Sequence, residues 1–223
     1  MIPSLIFDLD GTLIDSLPGI ADSLNRALEK QGLPTQPQAA VRSYVGNGLK
    51  LLVERAAPDA DEATIEALIE SFKEDYQHSW IEGTRAYTGI TQLLKELQRS
   101  GHQLAVLSNK VQPFTQTITR EIFPTVHFTS VTGQQDGIPH KPHPLGALNI
   151  AAAMGRNPRD CILIGDSVAD VETADNAEMQ FIGCTWGYQD RIRLIEAGAK
   201  HFIDKPSQLP HLLSTLEGDT GAY

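Results

Sequence analysis

The stretch LIFDLDGTLID, residues 5–15, decides the fold class of this chain and carries its first acidic pair. The apolar run Leu5–Phe7 is followed at once by Asp8, Asp10 and a glycine, a pattern that predicts a buried strand ending in a turn. Two ionised carboxylates this close repel each other, and burying them is costly unless a positive charge compensates. The sequence therefore predicts a cationic group beside Asp8 and Asp10.

Short β-rich runs recur along the rest of the chain, with helical stretches between them. They are QLAVLSN from residue 103, VHFTSVT from 126, CILIGD from 161, QFIGCT from 180 and HFID from 201. This alternation predicts right-handed crossovers and a doubly wound, mostly parallel α/β sheet, that is, a Rossmann-like core. In such sheets ligands bind outside the carboxyl ends of the strands, so the polar residues after the first, second and fourth runs are expected to converge.

The segment between the first two runs departs from this alternation. Residues 16–87 contain amphipathic helical repeats, such as GIADSLNRALEKQGL from residue 19, and no convincing strand. An ordinary crossover is much shorter. We therefore expect an α/β core, residues 1–15 and 88–223, with a helical cap, residues 16–87, inserted above the carboxyl edge of the sheet.

The composition excludes several classes of partner. The chain has 223 residues, of which 41% are hydrophobic and 21% charged, and a net charge of −10, which argues against non-specific binding to nucleic acid or anionic membranes. No apolar run approaches the length that crosses a bilayer. Cys161 and Cys184 lie in apolar segments and are interpreted as buried thiols of a reducing compartment. We expect a cytoplasmic protein, monomeric or homodimeric, that acts on a small molecule.

A second acidic group follows another of the expected strands. Asp166 ends CILIGD, and Asp170 comes four residues later. Together with Asp8 they are hard carboxylate ligands without a His or Cys cluster, which favours Mg²⁺. Other interpretations stay open at this point: Asp166 as a helix N-cap, Asp170 as a partner of the helix dipole, and the first acidic pair as a turn former.

Two further segments carry side chains suited to binding a phosphate group. Ser108 and Asn109 stand at the end of QLAVLSN, and Lys141 lies in HKPHP, where two prolines stiffen the backbone that aims its ammonium group. Ser108 and Asn109 are also compatible with a simple helix cap, and most lysines are solvated. The three residues are nevertheless the candidate phosphate-binding set, because they offer charge and hydrogen-bond donors at the expected edge.

Four motifs, in this order, resemble those of the haloacid dehalogenase superfamily. They are D-x-D-G-T at Asp8–Thr12, Ser108, Lys141, and G-D-S-x-x-D at Gly165–Asp170. Dehalogenases and phosphonate-cleaving members lack an acid at the place of Asp10. The resemblance therefore favours a phosphate ester or anhydride as the substrate.

The resemblance also implies a role for each motif residue. Asp8 is the nucleophile that becomes phosphorylated, and Asp10 is the general acid and base. Mg²⁺ is held by the carboxylates of Asp8 and Asp166 and by the main-chain carbonyl of Asp10, with Asp170 behind them. The resemblance also implies that Ser108 and Lys141 bind the phosphoryl group and that Lys141 is a catalytic residue.

A finer resemblance, to bacterial phosphoglycolate phosphatases, covers nearly the whole chain. It rests on YVGNGLKLLVERA from residue 44, SNKVQPF from 108, KPHP from 141 and WGY from 186. It implies hydrolysis of 2-phosphoglycolate to glycolate and phosphate. The alternatives are a sugar-phosphate mutase similar to β-phosphoglucomutase, a pyrophosphatase on the same scaffold, or a non-catalytic phosphate-binding regulatory module.

The residues that set specificity are sought in the cap. Gly46 and Gly48 let main-chain amides approach a small anion closely, and Arg42 is a candidate to bind a carboxylate. The glycine pair is equally compatible with a hinge before a helix. The full set of candidates is Arg42, Gly46, Asn47 and Gly48, with Lys110 and Lys50 as further candidates for the substrate carboxylate.

Overall fold

A six-stranded parallel sheet forms the centre of the protein. The structure, a computed structural model, describes residues 2–219; Met1 and residues 220–223, which the expected core range includes, lie outside the described residues. The strands are β1 Ser4–Phe7, β2 Ile14–Asp15, β3 Arg85–Ala86, β4 Leu104–Val111, β5 Ser130–Gln134, β6 Cys161–Gly165, β7 Gln180–Cys184 and β8 His201–Ile203. The large sheet has the order β5-β4-β1-β6-β7-β8, and each neighbouring pair is parallel. The prediction of a doubly wound α/β sheet is confirmed.

Helices cover this sheet and fill the insertion after β2. They are α1 Leu17–Lys30, α2 Gln38–Tyr44, α3 Leu49–Ala56, α4 Glu62–Ser79, α5 Ile90–Arg99, α6 Gln112–Ile122, α7 Leu145–Ala153, α8 Val168–Asn176, α9 Arg191–Glu196 and α10 Leu209–Asp219. Strands β1 and β6 are buried along their whole length, as expected for parallel strands with both faces covered. Their continuous apolar runs are therefore the strongest strand signal in the sequence.

The register of the sheet brings distant residues to one edge. Phe7, the last residue of β1, is paired with Val106 in β4 and with Ile164 in β6. The main-chain N–H of Asp8 continues this ladder by donating to the carbonyl of Ile164 at 2.9 Å. Residues that follow these three neighbouring strands therefore meet at the carboxyl edge.

A two-stranded ribbon lies at the two ends of the helical insertion. Ile14–Asp15 pairs antiparallel with Arg85–Ala86, so the expectation that residues 16–87 hold no strand is wrong at β3. Two residues are too few for an alternating pattern to show in the sequence. The expected boundaries of cap and core fall beside this ribbon, and we keep that division as a proposal.

Two simpler expectations concern membranes and cysteines. Within residues 2–219, no helix is long and apolar enough to cross a membrane. Cys161 and Cys184 are both buried, and both carry free thiols. The cysteines therefore pack as small apolar residues in this fold.

Candidate active site

An ion pair lies at the carboxyl edge of the central strands. Lys141 Nζ is 2.8 Å from Asp8 Oδ1 and 2.6 Å from Asp170 Oδ1, and it also donates to the carbonyl of Leu107 at 3.2 Å. Lys141 is thus the cationic group that the sequence leads one to expect beside Asp8. Asp8 Oδ1 also accepts a hydrogen bond from the N–H of Leu9, and no described residue hydrogen-bonds Oδ2. Asp8 therefore keeps one carboxylate oxygen available for a nucleophilic or ligating role.

Asn109 holds the loop that carries Lys141. Its Oδ1 accepts from the Lys141 N–H at 2.8 Å, and its Nδ2 donates to the Lys141 carbonyl at 3.1 Å and to the Gly46 carbonyl at 2.9 Å. Both N–H groups of the amide are therefore occupied by main-chain partners, whereas the sequence suggested that Asn109 binds phosphate. Ser108 is buried beside it, and its Oγ accepts from the N–H of Lys110 at 3.1 Å.

Three buried aspartates form an acidic cluster. One carboxylate oxygen from each of Asp8, Asp166 and Asp170 lies within 4.8 Å of the others. Asp166 accepts from Thr12 Oγ1 at 2.9 Å and from the N–H of Tyr188 at 2.7 Å. Each oxygen of Asp166 thus accepts one hydrogen bond and keeps capacity for a metal ion.

Both carboxylate oxygens of Asp170 already have polar partners. Its Oδ2 accepts from the N–H and the Oγ of Ser167, at 3.0 and 2.6 Å, while Oδ1 meets Lys141. Ser167, and not Asp166, is the N-cap of α8, and it forms a capping box with Asp170. Asp170 is therefore placed to hold Lys141 rather than to reach a ligand.

The cluster carries more negative than positive charge. Burial raises the pKa of Asp8 well above its usual value, with a further contribution from Asp170, and the charge of Lys141 opposes this shift. Burial and Asp170 raise the pKa of Asp166 to about 7. Burial disfavours the Lys141 ammonium, but Asp170 and Asp8 raise its pKa above the usual value. A divalent metal ion would fit this site, because it would neutralise hard oxygen ligands that one ammonium group leaves unbalanced.

Asp10 belongs to a separate hydrogen-bond network. Lys110 Nζ lies 3.0 Å from its Oδ1 and 3.2 Å from its Oδ2, and Ser16 Oγ donates to Oδ1. The Tyr188 hydroxyl accepts from the N–H of Ser16 at 3.0 Å. Lys110 also lies over the ring of Tyr76, 4.7 Å from its centroid. Asp8 and Asp10 therefore have different cations, and each carboxylate is held in its own orientation.

A cavity of about 70 Å³ opens between these carboxylates and the inserted helices. Its polar end is lined by Asp8, Asp10, Ser108, Asn109, Lys110 and Lys141, and its walls by apolar residues that include Ile20, Leu49, Leu52, Phe72 and Phe114. Gly46 and Gly48 also line it, with φ angles of 117° and 90° that favour glycine. A Cβ on Gly48 would lie 2.7 Å from His140 Nε2, so this glycine lets the inserted segment approach the core closely.

Three cap candidates point elsewhere. Arg42 donates to the carbonyls of Gly187 and Tyr188 at 2.7 and 2.9 Å, and Asn47 Oδ1 accepts from Arg55. Lys50 is exposed and pairs with Glu62 at 2.7 Å. None of the three lines the cavity, so this arrangement does not support a contact of Arg42 or Lys50 with a substrate carboxylate there.

Sequence reasoning missed several residues that complete the site. They are Thr12, Ser16, Tyr76 and Tyr188. Thr12 and Tyr188 stand within quoted motifs, but their partner Asp166 lies far from Thr12 in the chain. Tyr76 belongs to the apolar face of α4, and a helical period does not distinguish a cavity wall from a core position.

Comparison with known proteins gives consistent matches. The family model for haloacid dehalogenase-like hydrolases matches residues 5–184. A phosphoglycolate phosphatase from Yersinia pestis is 32% identical over 191 residues, which cover 84% of this chain and 82% of that protein. One from Haemophilus influenzae is 31% identical and covers 93% of this chain and 96% of its own. The crystal structure of a predicted phosphoglycolate phosphatase from Haemophilus somnus superposes with a TM-score of 0.89 at 27% identity, covering 95% of this chain and 97% of that one.

Proposed function

The chain belongs to the haloacid dehalogenase-like hydrolase family and is a phosphoric monoester hydrolase, and from this premise we propose that it hydrolyses 2-phosphoglycolate with Mg²⁺. The observation that carries the proposal is the position of Asp8, whose buried carboxylate lies beside Lys141 at the polar end of a small cavity. The substrate comes from the phosphoglycolate phosphatases that the chain resembles over most of its length.

The proposed reaction has two steps that share the same carboxylates. An oxygen of Asp8 attacks phosphorus, the bond to the glycolate oxygen breaks, and Asp10 gives that oxygen a proton. A water molecule then attacks the aspartyl phosphate, Asp10 accepts the proton of that water, and the bond to Asp8 breaks to release phosphate. Lys141 and Ser108 bind the phosphoryl oxygens throughout. Asp8, Asp166 and the Asp10 carbonyl would hold Mg²⁺, whose charge stabilises the nonbridging oxygens when it is bound.

The shape of the cavity favours a small leaving group. Apolar side chains form its walls, so a sugar would bury hydroxyl groups there without hydrogen-bond partners, at a cost of about 1–3 kcal/mol each. Glycolate has two carbons, and its one polar group besides the ester oxygen is a carboxylate, for which Lys110 offers a positive charge at the polar end of the cavity. This argument supports 2-phosphoglycolate over the hexose phosphates on which a mutase would act.

The proposal is tested by ranking substrates. Purified protein with MgCl₂ is assayed for phosphate release from 2-phosphoglycolate, pyrophosphate, glucose 6-phosphate and β-glucose 1-phosphate. We expect kcat/KM to be at least about tenfold higher for 2-phosphoglycolate than for any hexose phosphate. Conversion of β-glucose 1-phosphate to glucose 6-phosphate without net phosphate release would instead identify a mutase.

The acid role of Asp10 has its own test. Asp10→Asn is expected to lower kcat for 2-phosphoglycolate by about 10²–10⁴-fold, because the alkoxide then leaves without a proton. p-Nitrophenyl phosphate has a leaving group that departs unprotonated, so its bond cleavage should be slowed much less. Because Asp10 also serves the second step, bond cleavage is followed in a single turnover, and an equal loss of its rate with both esters would reject Asp10 as the acid.

We also propose a cytoplasmic location, since the two buried cysteines are free. A fluorescent fusion observed outside the cytoplasm would contradict it. Size-exclusion chromatography with light scattering would decide between the expected monomer and homodimer.

A further inference from the structure

We infer that Lys110 and the Tyr76 hydroxyl form a subsite that binds a carboxylate on the leaving group of the substrate. This inference rests on the proposed function and deepens it, because it assigns the residues that distinguish an acidic from a neutral leaving group. Lys110 and Tyr76 both line the cavity beside Asp10. The Lys110 side chain is only 8% exposed, so its charge is largely desolvated and strong at short range.

Lys110 has a hydrogen-bond donor left for a ligand. Its two polar contacts within hydrogen-bond distance are with the two oxygens of Asp10, at 3.0 and 3.2 Å, whereas an ammonium group carries three N–H bonds. The contact with the Asp10 carboxylate favours the ammonium form of Lys110. Lys110 therefore faces the cavity as a cation.

Tyr76 supplies an independent sign of a missing ligand. It is fully buried, and its hydroxyl has no hydrogen-bond partner among the described residues. An unpaired buried hydroxyl is unfavourable, and a carboxylate oxygen in the cavity would satisfy it by accepting its hydrogen bond. The same ring carries Lys110 over its face, so the hydroxyl and the ammonium belong to one corner of the cavity.

The other cations near the cavity are already committed. Lys141 lies between Asp8 and Asp170 and is assigned to the phosphoryl group in the proposed reaction. Arg42 and Lys50 do not line the cavity. Among the cavity-lining residues that the structure describes, Lys110 is therefore the cation with a donor to spare.

The covalent structure of 2-phosphoglycolate matches this placement. One carbon separates its ester oxygen from the carboxylate carbon. If Asp10 protonates the ester oxygen, the substrate carboxylate lies next to the groups that contact Asp10. Lys110 is one of these groups, because it donates a hydrogen bond to Asp10 Oδ1. The substrate thus bridges from the phosphoryl site at Asp8 to the cation at Lys110.

The test compares two esters that differ in the carboxylate. 2-Phosphoglycolate and 2-hydroxyethyl phosphate are assayed with the wild type, Lys110→Met, Lys110→Arg and Tyr76→Phe. Lys73→Met is the control, because Lys73 lies on the same helix as Tyr76 but is 40% exposed and pairs with Glu70. We expect Lys110→Met to lower the kcat/KM ratio of the two esters by about 10–100-fold and Tyr76→Phe by about 5-fold, with partial recovery in Lys110→Arg and no change in the control.

Glycolate binding provides a second readout that does not require turnover. Glycolate should raise the thermal unfolding temperature of the wild type and of Lys73→Met, but not that of Lys110→Met. An equal loss with both esters in Lys110→Met would overturn the inference, since Lys110 would then act only on Asp10. An unchanged ratio in Tyr76→Phe would remove Tyr76 from the subsite. If glycolate binds through Lys110 but 2-phosphoglycolate is not turned over, the proposed function fails while the subsite stands.

Discussion

Asp8 Oδ1 and Lys141 Nζ lie 2.8 Å apart, and the two side chains are 10% and 4% exposed. The pair is not isolated, because Asp166 and Asp170 bring two further carboxylates into the same cluster. Because three carboxylates share one ammonium group, removal of Asp8 should relieve repulsion, whereas removal of Lys141 leaves buried charges without compensation.

Asp8→Asn should abolish phosphate release while leaving the fold as stable as the wild type or more so. The amide cannot attack phosphorus, and it removes a carboxylate whose pKa burial raises, so the ionised form disfavours folding in the absence of metal. Phosphate release and thermal unfolding in EDTA measure the two effects. Turnover above about one thousandth of the wild-type rate would reject Asp8 as the nucleophile.

Lys141→Met should lose activity and also lower the free energy of unfolding by about 3–5 kcal/mol in EDTA, because three buried carboxylates lose their ammonium group. Saturating MgCl₂ should then raise the unfolding temperature of this variant more than that of the wild type. Urea titrations with EDTA and with MgCl₂ provide the comparison. No stabilisation of either protein by Mg²⁺ would contradict a metal site in this cluster.

Arg42→Met should weaken Mg²⁺ binding although Arg42 does not line the cavity. Its guanidinium holds the carbonyls of Gly187 and Tyr188, and the N–H of Tyr188 holds Asp166. We expect the Mg²⁺ concentration for half-maximal activity to rise about 10-fold, as is typical when the support of a metal ligand is lost.

The control for Arg42 is Arg55→Met. Arg55 is also exposed, but its contacts, the Tyr44 carbonyl and Asn47 Oδ1, both lie within the inserted helical segment. Arg55→Met removes the same charge as Arg42→Met but leaves the contacts of the loop that holds Asp166 unchanged. An equal change in the Mg²⁺ requirement of both variants would attribute the effect to net charge.

Asp75→Asn should destabilise the packing of α1 against α4. Arg26 donates to both oxygens of Asp75 at 2.7 Å, and this contact, with those from Ser23 and Ser79, lowers the pKa of Asp75 to about 2. Because Arg26 is partly exposed, we expect a loss of about 1–2 kcal/mol in the free energy of unfolding at neutral pH.

The contribution of the Arg26–Asp75 ion pair to the free energy of unfolding depends on pH. The folded pKa of Asp75, about 2, lies below the unfolded value of about 3.9, so the stabilisation is complete above pH 4 and is lost as the pH falls towards 2. Urea unfolding of the wild type and Asp75→Asn should therefore converge across that range. Asp59→Asn, at an exposed position, is the control, and a constant difference at all pH values would contradict the ion pair as the cause.

Local patterns were enough to predict the sheet and the gathering of the motif residues. Apolar runs such as Ser4–Phe7 and Cys161–Gly165 match the observed strands closely, because a strand buried on both faces requires continuous apolar sequence. Parallel neighbours end at one edge, so Asp8, Ser108 and Asp166 could be expected together before any coordinate was known.

The partners of long polar side chains required the tertiary structure. Arg42 was the first candidate for a substrate carboxylate, with Lys110 and Lys50 as further candidates, yet of these three only Lys110 lines the cavity. Arg42 instead holds a main-chain loop, and Lys50 pairs with an exposed glutamate. The positions of strands and helices follow from short-range periodicity and steric rules, which depend on residues close together in the sequence. The end of a flexible side chain instead goes to whichever opposite charge or carbonyl the packing of distant elements brings within reach, and that choice leaves no local pattern in the chain.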